Sequence, residues 1–112
     1  MKLRKKKQTI PDLTNKKELM DALIKAISKA SGHSEYEIRK TNGRQLIYWK
    51  RLGMYVLHKE FDWTQRAAGL AFGRDHTLVS KTVAEFDEIL ETEGQRHRIL
   101  PYLNLIKHEL TL

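Results

Sequence analysis

The sequence predicts an all-α fold, a compact bundle of about six helices in a single domain. Apolar residues recur at spacings of three and four, strand-like alternation is hard to find, and the chain has only two prolines and six glycines. Its length of 112 residues is that of one ordinary domain. We assign residues 1–14 to a basic, flexible arm and residues 15–112 to the helical domain.

The arm carries most of the charge. Residues 1–17 contain seven Lys or Arg and one acid, Asp12, so they hold +6 of the formal net charge of +7. Such a segment favours polyanions, and the alternative is a solvated tail. Both interpretations apply to the same cations: Arg4, Lys5, Lys6 and Lys7.

Several classes of protein are disfavoured by composition. The chain has no cysteine, which removes disulfides and thiolate metal sites. No apolar run approaches the ~18 residues of a membrane span, and the N-terminus lacks the apolar core of a signal peptide. The histidines are dispersed without a metal-ligand spacing, and no nucleophile accompanies an acid–base pair. We therefore expect a cytoplasmic protein that is not an enzyme and has no cofactor, no metal and no membrane contact.

The first predicted helix spans about residues 16–30, with Asn15 as its N-cap and Glu18 three positions later. Gly32 is placed to end it. The inward side chains have helical spacing: Leu19, Leu23, Ile24 and Ile27.

The middle of the chain contains a short helix and a long one. Ser34 and Glu37 have the spacing of a capping box, which predicts a short second helix. Residues 41–44 break the pattern and are predicted to form a loop. A third helix is predicted over about residues 46–60, with these residues buried: Leu46, Trp49, Gly53, Val56 and Leu57.

Three helices remain. Thr64 is placed to cap a compact helix over residues 65–72, Gly73 and Arg74 form a turn, and a long helix covers about residues 75–93. The inward stripe of the long helix is Val79, Val83, Phe86 and Leu90. The last helix has proline in its first turn and an apolar face, as indicated by Pro101, Leu103, Ile106 and Leu110.

The compact helix, turn and long helix have the pattern of a helix-turn-helix, whose second helix enters the DNA major groove. Because the apolar stripe faces the core, the first two turns of the long helix display polar groups that match base edges. The predicted base contacts are Arg74, Asp75, His76, Thr77 and Lys81. Asp75 is also a candidate N-cap, and the alternative for His76 is an ordinary exposed side chain.

Other cations and one hydroxyl are predicted to contact phosphate, which positions a protein without reading sequence. They are Arg44, Lys50, Arg51 and Ser80. The far end of the long helix is acidic and has no basic residue: Glu85, Asp87, Glu88, Glu91 and Glu93. The change from polar and basic residues at the start of the long helix to acidic residues at its end predicts that only the first turns insert into DNA. The alternative is that the acidic end, Glu85–Glu93, binds a protein partner.

The segment Gly73-Arg74-Asp75-His76-Thr77-Leu78-Val79 resembles the GRDHTTV motif of the C-terminal DNA-binding domain (domain IV) of the bacterial chromosomal replication initiator DnaA. Residues 51–61, RLGMYVLHKEF, resemble the family's RQ(I/M)AMYLARELT helix, and Ala71-Phe72-Gly73 resembles its AFGG. The similarity extends over roughly residues 18–110.

This resemblance implies a helical fold related to that of the Trp repressor and recognition of short boxes in double-stranded DNA. It implies that Asp75, His76 and Thr77 read bases in the major groove and that Lys81 faces the groove. It also implies a phosphate contact by Arg51 and a minor-groove contact by Arg44. The resemblance therefore also implies that the protein is associated with the nucleoid in the cytoplasm.

The sequence departs from the family pattern in several places. Leu78 replaces the second threonine of GRDHTTV, and the loop before the third helix has a single arginine, Arg44. No GxxxxGK[ST] phosphate-binding loop occurs, so ATP binding and hydrolysis are not expected. The predicted function is sequence-preferring binding of duplex DNA, with a role in replication initiation or in transcriptional control. A protein–protein adaptor derived from a DNA-binding domain is the alternative.

Overall fold

The computed structural model describes residues 16–41 and 43–111. These residues form six α-helices and no strand, which confirms the predicted all-α bundle. The helices are α1 (Lys16–Ser31), α2 (Glu35–Lys40), α3 (Arg44–Phe61), α4 (Gln65–Ala71), α5 (His76–Glu91) and α6 (Leu100–Thr111). The predicted arm and the Asn15 cap lie outside the described residues. None of the described helices combines the length and the apolar character needed to cross a membrane.

The first and last helices pack against each other. All four side chains predicted to face inward from α1 are buried, and Ala26 joins them. The three predicted inward residues of α6 are also buried, and Pro101 is the second residue of that helix, as expected. Gly32 follows α1 with φ of +84°, a conformation in which glycine is strongly preferred.

The short helix α2 begins with the predicted capping box. The Ser34 hydroxyl oxygen accepts a hydrogen bond from the Glu37 amide at 3.0 Å, and the Ser34 amide donates to Glu37 Oε1 at 2.9 Å. These bonds satisfy two backbone donors that a helix start leaves without partners, which explains why six residues are enough for a stable turn. Ile38 is fully buried and anchors α2 to the core.

The central element is α3, which packs against α1, α4, α5 and α6. It begins at Arg44, two residues before the predicted start. Four of its five predicted inward residues are buried, whereas Trp49 is only half-buried. A Cβ atom added at Gly53 would lie 2.7 Å from Cζ of Phe72, so glycine lets the Phe72 ring pack directly on the helix backbone.

The stripe predicted for α5 is partly correct. Val79 and Phe86 are buried, but Val83 and Leu90 are half-buried, and the fully buried Thr82 was not predicted to face inward. The helix ends at Glu91, two residues before the predicted end. A 3-10 turn, Arg96–Arg98, that has no periodic signal then leads to α6.

Candidate nucleic-acid interface

The turn between α4 and α5 has the hydrogen bonds of a Schellman motif. The Arg74 amide donates to the Gly69 carbonyl at 2.8 Å, and the Gly73 amide donates to the Leu70 carbonyl at 3.0 Å. Gly73 has φ of +72°, which this motif requires at the position after the helix cap. Because these bonds fix the exit from α4, they also fix the direction in which α5 starts.

A second glycine allows α4 and the turn to come close. A Cβ atom added at Gly69 would lie 2.8 Å from the Arg74 carbonyl oxygen and 2.9 Å from that of Asp75. Both atoms belong to the backbone, so neither can move aside as a side chain could. Gly69 therefore determines how closely the chain returns to α4 before it enters α5.

The start of α5 is capped by Asp75. Its Oδ1 atom accepts hydrogen bonds from the amides of Thr77 at 3.1 Å and Leu78 at 3.3 Å. The N-cap interpretation of Asp75 is thereby confirmed. Oδ1 accepts from two of the amides that a phosphate at this helix start would otherwise use. The second carboxylate oxygen, Oδ2, is able to accept a hydrogen bond from a cytosine amino group.

The side chains predicted to contact bases lie on one exposed edge of α5 and the preceding turn. His76, Thr77 and Lys81 are exposed, as are Asp75 and Ser80, whereas Arg74 is half-buried. Val79 on the opposite side is fully buried, as is Thr82. We call the exposed residues Asp75, His76, Thr77, Ser80 and Lys81 the α5 edge. The geometry thus presents donors and acceptors at the first two turns of one helix.

Lys50 does not have the environment predicted for it. Only 3% of the residue is exposed, and its Nζ atom donates to the Thr41 carbonyl at 2.8 Å. Burial, and then repulsion by Arg74, lower the pKa of Lys50. This conformation does not support the predicted phosphate contact, because the ammonium group is buried and already donates to a backbone carbonyl of the protein.

Arg51 is also engaged within the protein. Its Nε atom donates to the Thr82 hydroxyl at 2.7 Å, and its Nη2 atom donates to Glu85 Oε1 at 2.5 Å. The guanidinium also lies over the Phe86 ring, 5.2 Å from its centre. The predicted phosphate contact is therefore not supported by this geometry. We call this set of contacts between α3 and α5 the Arg51 latch.

Arg44 is the predicted phosphate or minor-groove residue on α3 that remains exposed. It is the first residue of the helix, directly after Gly43, which occupies the N-cap position without a side-chain cap. Asn42, in the predicted loop, lies outside the described residues. Arg44 is thus held at a helix start, where its side chain can extend away from the bundle.

The acidic end of α5 is partly neutralised within the protein. Glu85 pairs with Arg51, and the hydrogen bond from that guanidinium lowers the pKa of Glu85. Asp87 accepts a hydrogen bond from the Tyr55 hydroxyl and pairs with Lys59 at 3.2 Å. The acids that remain exposed are Glu88, Glu91 and Glu93. The surface offered to a protein partner is therefore smaller than the predicted Glu85–Glu93 segment.

Two cations of α3 allow a matched test, because Arg44 is exposed and Lys50 is buried. Arg44→Met is expected to reduce the slope of log affinity for random duplex DNA against log salt by about 1. Lys50→Met should leave that slope unchanged, because its ammonium group does not face solvent. Fluorescence anisotropy titrations over a range of salt concentrations measure both slopes. Equal reductions in the two variants would show that Lys50 does reach phosphate.

Comparisons with known proteins returned nothing: no protein-family model, no curated protein and no solved structure matches the chain. The function is therefore inferred from the chemistry of the α5 edge and its surroundings.

Proposed function

We propose that this protein binds double-stranded DNA with a sequence preference, using α4, the turn and α5 as a helix-turn-helix. The first turns of α5 enter the major groove, and the α5 edge contacts the bases. The binding needs no ATP, and it serves replication initiation or transcriptional control through the same contacts. The similarity of residues 73–79 to the DNA-binding domain of the replication initiator supports this proposal.

The observation that carries the proposal is the separation of faces on α5. His76, Thr77 and Lys81 are exposed on one side while Val79 and Phe86 are buried on the other. A helix anchored this way can place its polar side chains in a groove without exposing apolar surface. The groups on the α5 edge include both donors and acceptors, which base recognition requires.

The charge along α5 supports insertion by its first turns only. Lys81 is exposed near the start, whereas Glu88 and Glu91 are exposed in the last turns. Phosphates would repel those acids if the helix lay flat in the groove. An orientation in which the end of α5 leaves the groove avoids this repulsion, and exposed Arg44 then supplies a separate contact to the backbone or minor groove.

The test is selection of binding sites from random duplexes, followed by anisotropy with the selected site. His76→Ala and Thr77→Ala are each expected to weaken binding to that site by about 1–2 kcal/mol, the loss of one base contact. Binding to random duplex should barely change, because these side chains read bases rather than phosphates.

The control is Ala84→Ser, an exposed position on the same helix beyond the inserted turns. It should leave both affinities unchanged. Equal losses on selected and random DNA for His76→Ala and Thr77→Ala would contradict base reading.

A protein–protein adaptor is the second candidate, favoured by the exposed acids Glu88, Glu91 and Glu93. It predicts only weak duplex binding at near-physiological salt and no enriched site in the selection. An affinity for the selected duplex that greatly exceeds the affinity for random duplex would exclude it as the main function. A genome-wide occupancy map would then separate a replication role from a transcriptional one.

A further inference from the structure

An open groove with aromatic walls lies where the start of α3, the 3-10 turn and α6 meet. It has a volume of about 600 Å³, and its walls include Tyr48, Trp49 and Tyr102. Two arginines, Arg44 and Arg98, stand at its sides. Apart from Arg44, none of these residues has a part in the proposed DNA contact.

The three rings form one cluster in which each ring contacts the other two. Tyr48 and Trp49 have centroids 5.7 Å apart, Tyr48 and Tyr102 6.3 Å, and Trp49 and Tyr102 5.7 Å, each pair close to perpendicular. The Tyr48 hydroxyl donates to the Arg98 carbonyl at 2.9 Å, which ties the cluster to the 3-10 turn. Tyr102 is nevertheless 38% exposed, so the groove offers apolar ring surface to solvent.

The groove is also cationic. Arg44 and Arg98 are exposed, and His33 lines the same space, whereas none of the described residues that line it has a carboxylate. Arg98 donates one hydrogen bond to Gln95 Oε1 at 3.1 Å and also lies near Glu85, so that acid offsets part of its charge. A guanidinium nevertheless has five N–H donors in all. Such a site complements a ligand that combines negative charge with an apolar group.

We propose that this groove, defined by Tyr48, Trp49, Tyr102, Arg44 and Arg98, binds a short acidic segment of another protein. An aromatic or aliphatic side chain of that segment packs on the rings, and its flanking carboxylates pair with the arginines. Tyr, Trp and Arg are the residues that dominate binding energy at protein interfaces. Each edge-to-face pair covers one ring face with the edge of its neighbour. A flat base needs a whole free ring face for stacking, whereas a smaller peptide side chain can pack against the ring surface that remains, which favours a peptide over stacked nucleic-acid bases.

The test selects short random peptides on the full chain by display and measures the enriched peptides by anisotropy. We expect enriched peptides to contain Asp or Glu next to an aromatic or aliphatic residue. Arg98→Glu should weaken their binding about tenfold or more, because it places a like charge at the site. This variant keeps the Tyr48 hydrogen bond, which uses the backbone carbonyl of residue 98.

Arg66→Glu is the charge-matched control, since Arg66 is exposed on α4 and does not line the groove. It should leave peptide affinity unchanged, and Tyr102→Ala, checked for folding by circular dichroism, should weaken it. The proposal is overturned if enrichment is absent, if the enriched peptides are neutral or basic, or if Arg98→Glu binds them as tightly as the native chain. It is equally overturned if an oligothymidine probe, rather than the peptides, binds the groove and loses affinity in Arg98→Glu.

Discussion

Replacing Gly69 with valine is expected to lower the free energy of unfolding by about 3 kcal/mol, the upper end for overpacking. The new Cβ would stand 2.8 Å from one backbone carbonyl oxygen and 2.9 Å from the next, so the turn must move. Valine and glycine differ little in helix propensity, so the loss reports the clash alone. Chemical denaturation of the native protein and of Gly69→Val measures this difference in the free energy of unfolding.

The same substitution is expected to abolish the preference for the selected duplex, because the displaced turn carries the start of α5. Leu70→Ala is the control, since this neighbour on α4 is 65% exposed and its removal should change stability little. A Gly69→Val protein with native stability and native DNA preference would show that the approach of the turn to α4 does not determine the position of α5.

Arg51→Ala is expected to lower the free energy of unfolding by about 2–3 kcal/mol, because a buried hydroxyl loses a charged donor. Thr82 is fully buried, and the side chain of Arg51 is only 20% exposed. The variant also loses the contact of the guanidinium with the Phe86 ring. Chemical denaturation measures the free energy of unfolding. If Arg51 contacts only the protein, the slope of log affinity for duplex DNA against log salt should be the same in the variant as in the native protein.

If Arg51→Ala instead reduces the slope of log affinity for duplex DNA against log salt by about 1 and leaves the stability unchanged, Arg51 is a phosphate contact. Lys59→Ala is the matched control, because it also removes a cation of α3 that pairs with an acid of α5, but at a more exposed position. Its effect on stability should stay below about 1 kcal/mol.

The latch also predicts a pH dependence. Arg51 lowers the pKa of Glu85 below its ordinary value of 4.5. A carboxyl with a lowered folded-state pKa stabilises the fold above its unfolded pKa, and this stabilisation is lost as pH falls through the folded value. Between neutral pH and strong acid, native protein should therefore lose more stability than Arg51→Ala. Parallel acid profiles for the two proteins would contradict the pairing.

The elements predicted best from sequence were those fixed by local chemistry. Ser34, Thr64 and Asp75 each cap a helix as expected, because a side-chain oxygen and an amide two or three residues away decide the outcome. The apolar faces of α1 and α6 were predicted equally well. Their side chains differ strongly in polarity from those on the solvent side, so periodicity alone identifies the buried face.

The predictions that depended on tertiary packing did less well. The charge of Lys50 predicts a surface cation, although this residue lies four residues after Leu46 and three before Gly53, on the buried side of α3. Thr82 likewise lies between Val79 and Phe86 at helical spacing. In both cases the spacing indicated burial while the polar side chain suggested exposure. The Thr41 carbonyl after α2 accepts from Lys50, and Arg51 on α3 donates to Thr82. Neither partner can be identified from the spacing of residues along one helix.

The inward pairing of Arg51 with Glu85 has a consequence for the proposed DNA binding, because it affects how DNA would first approach the protein. The electrostatic fields of a cation and an anion in contact nearly cancel at a distance. Screening at physiological salt removes much of the remaining field beyond about 8 Å. Since residues 1–17 carry +6 of the total +7, the rest of the chain is almost neutral to a distant polyanion. In the proposed function the encounter with DNA would therefore be driven by the N-terminal cations, whereas the choice of sequence would be made by side chains that act only at contact range.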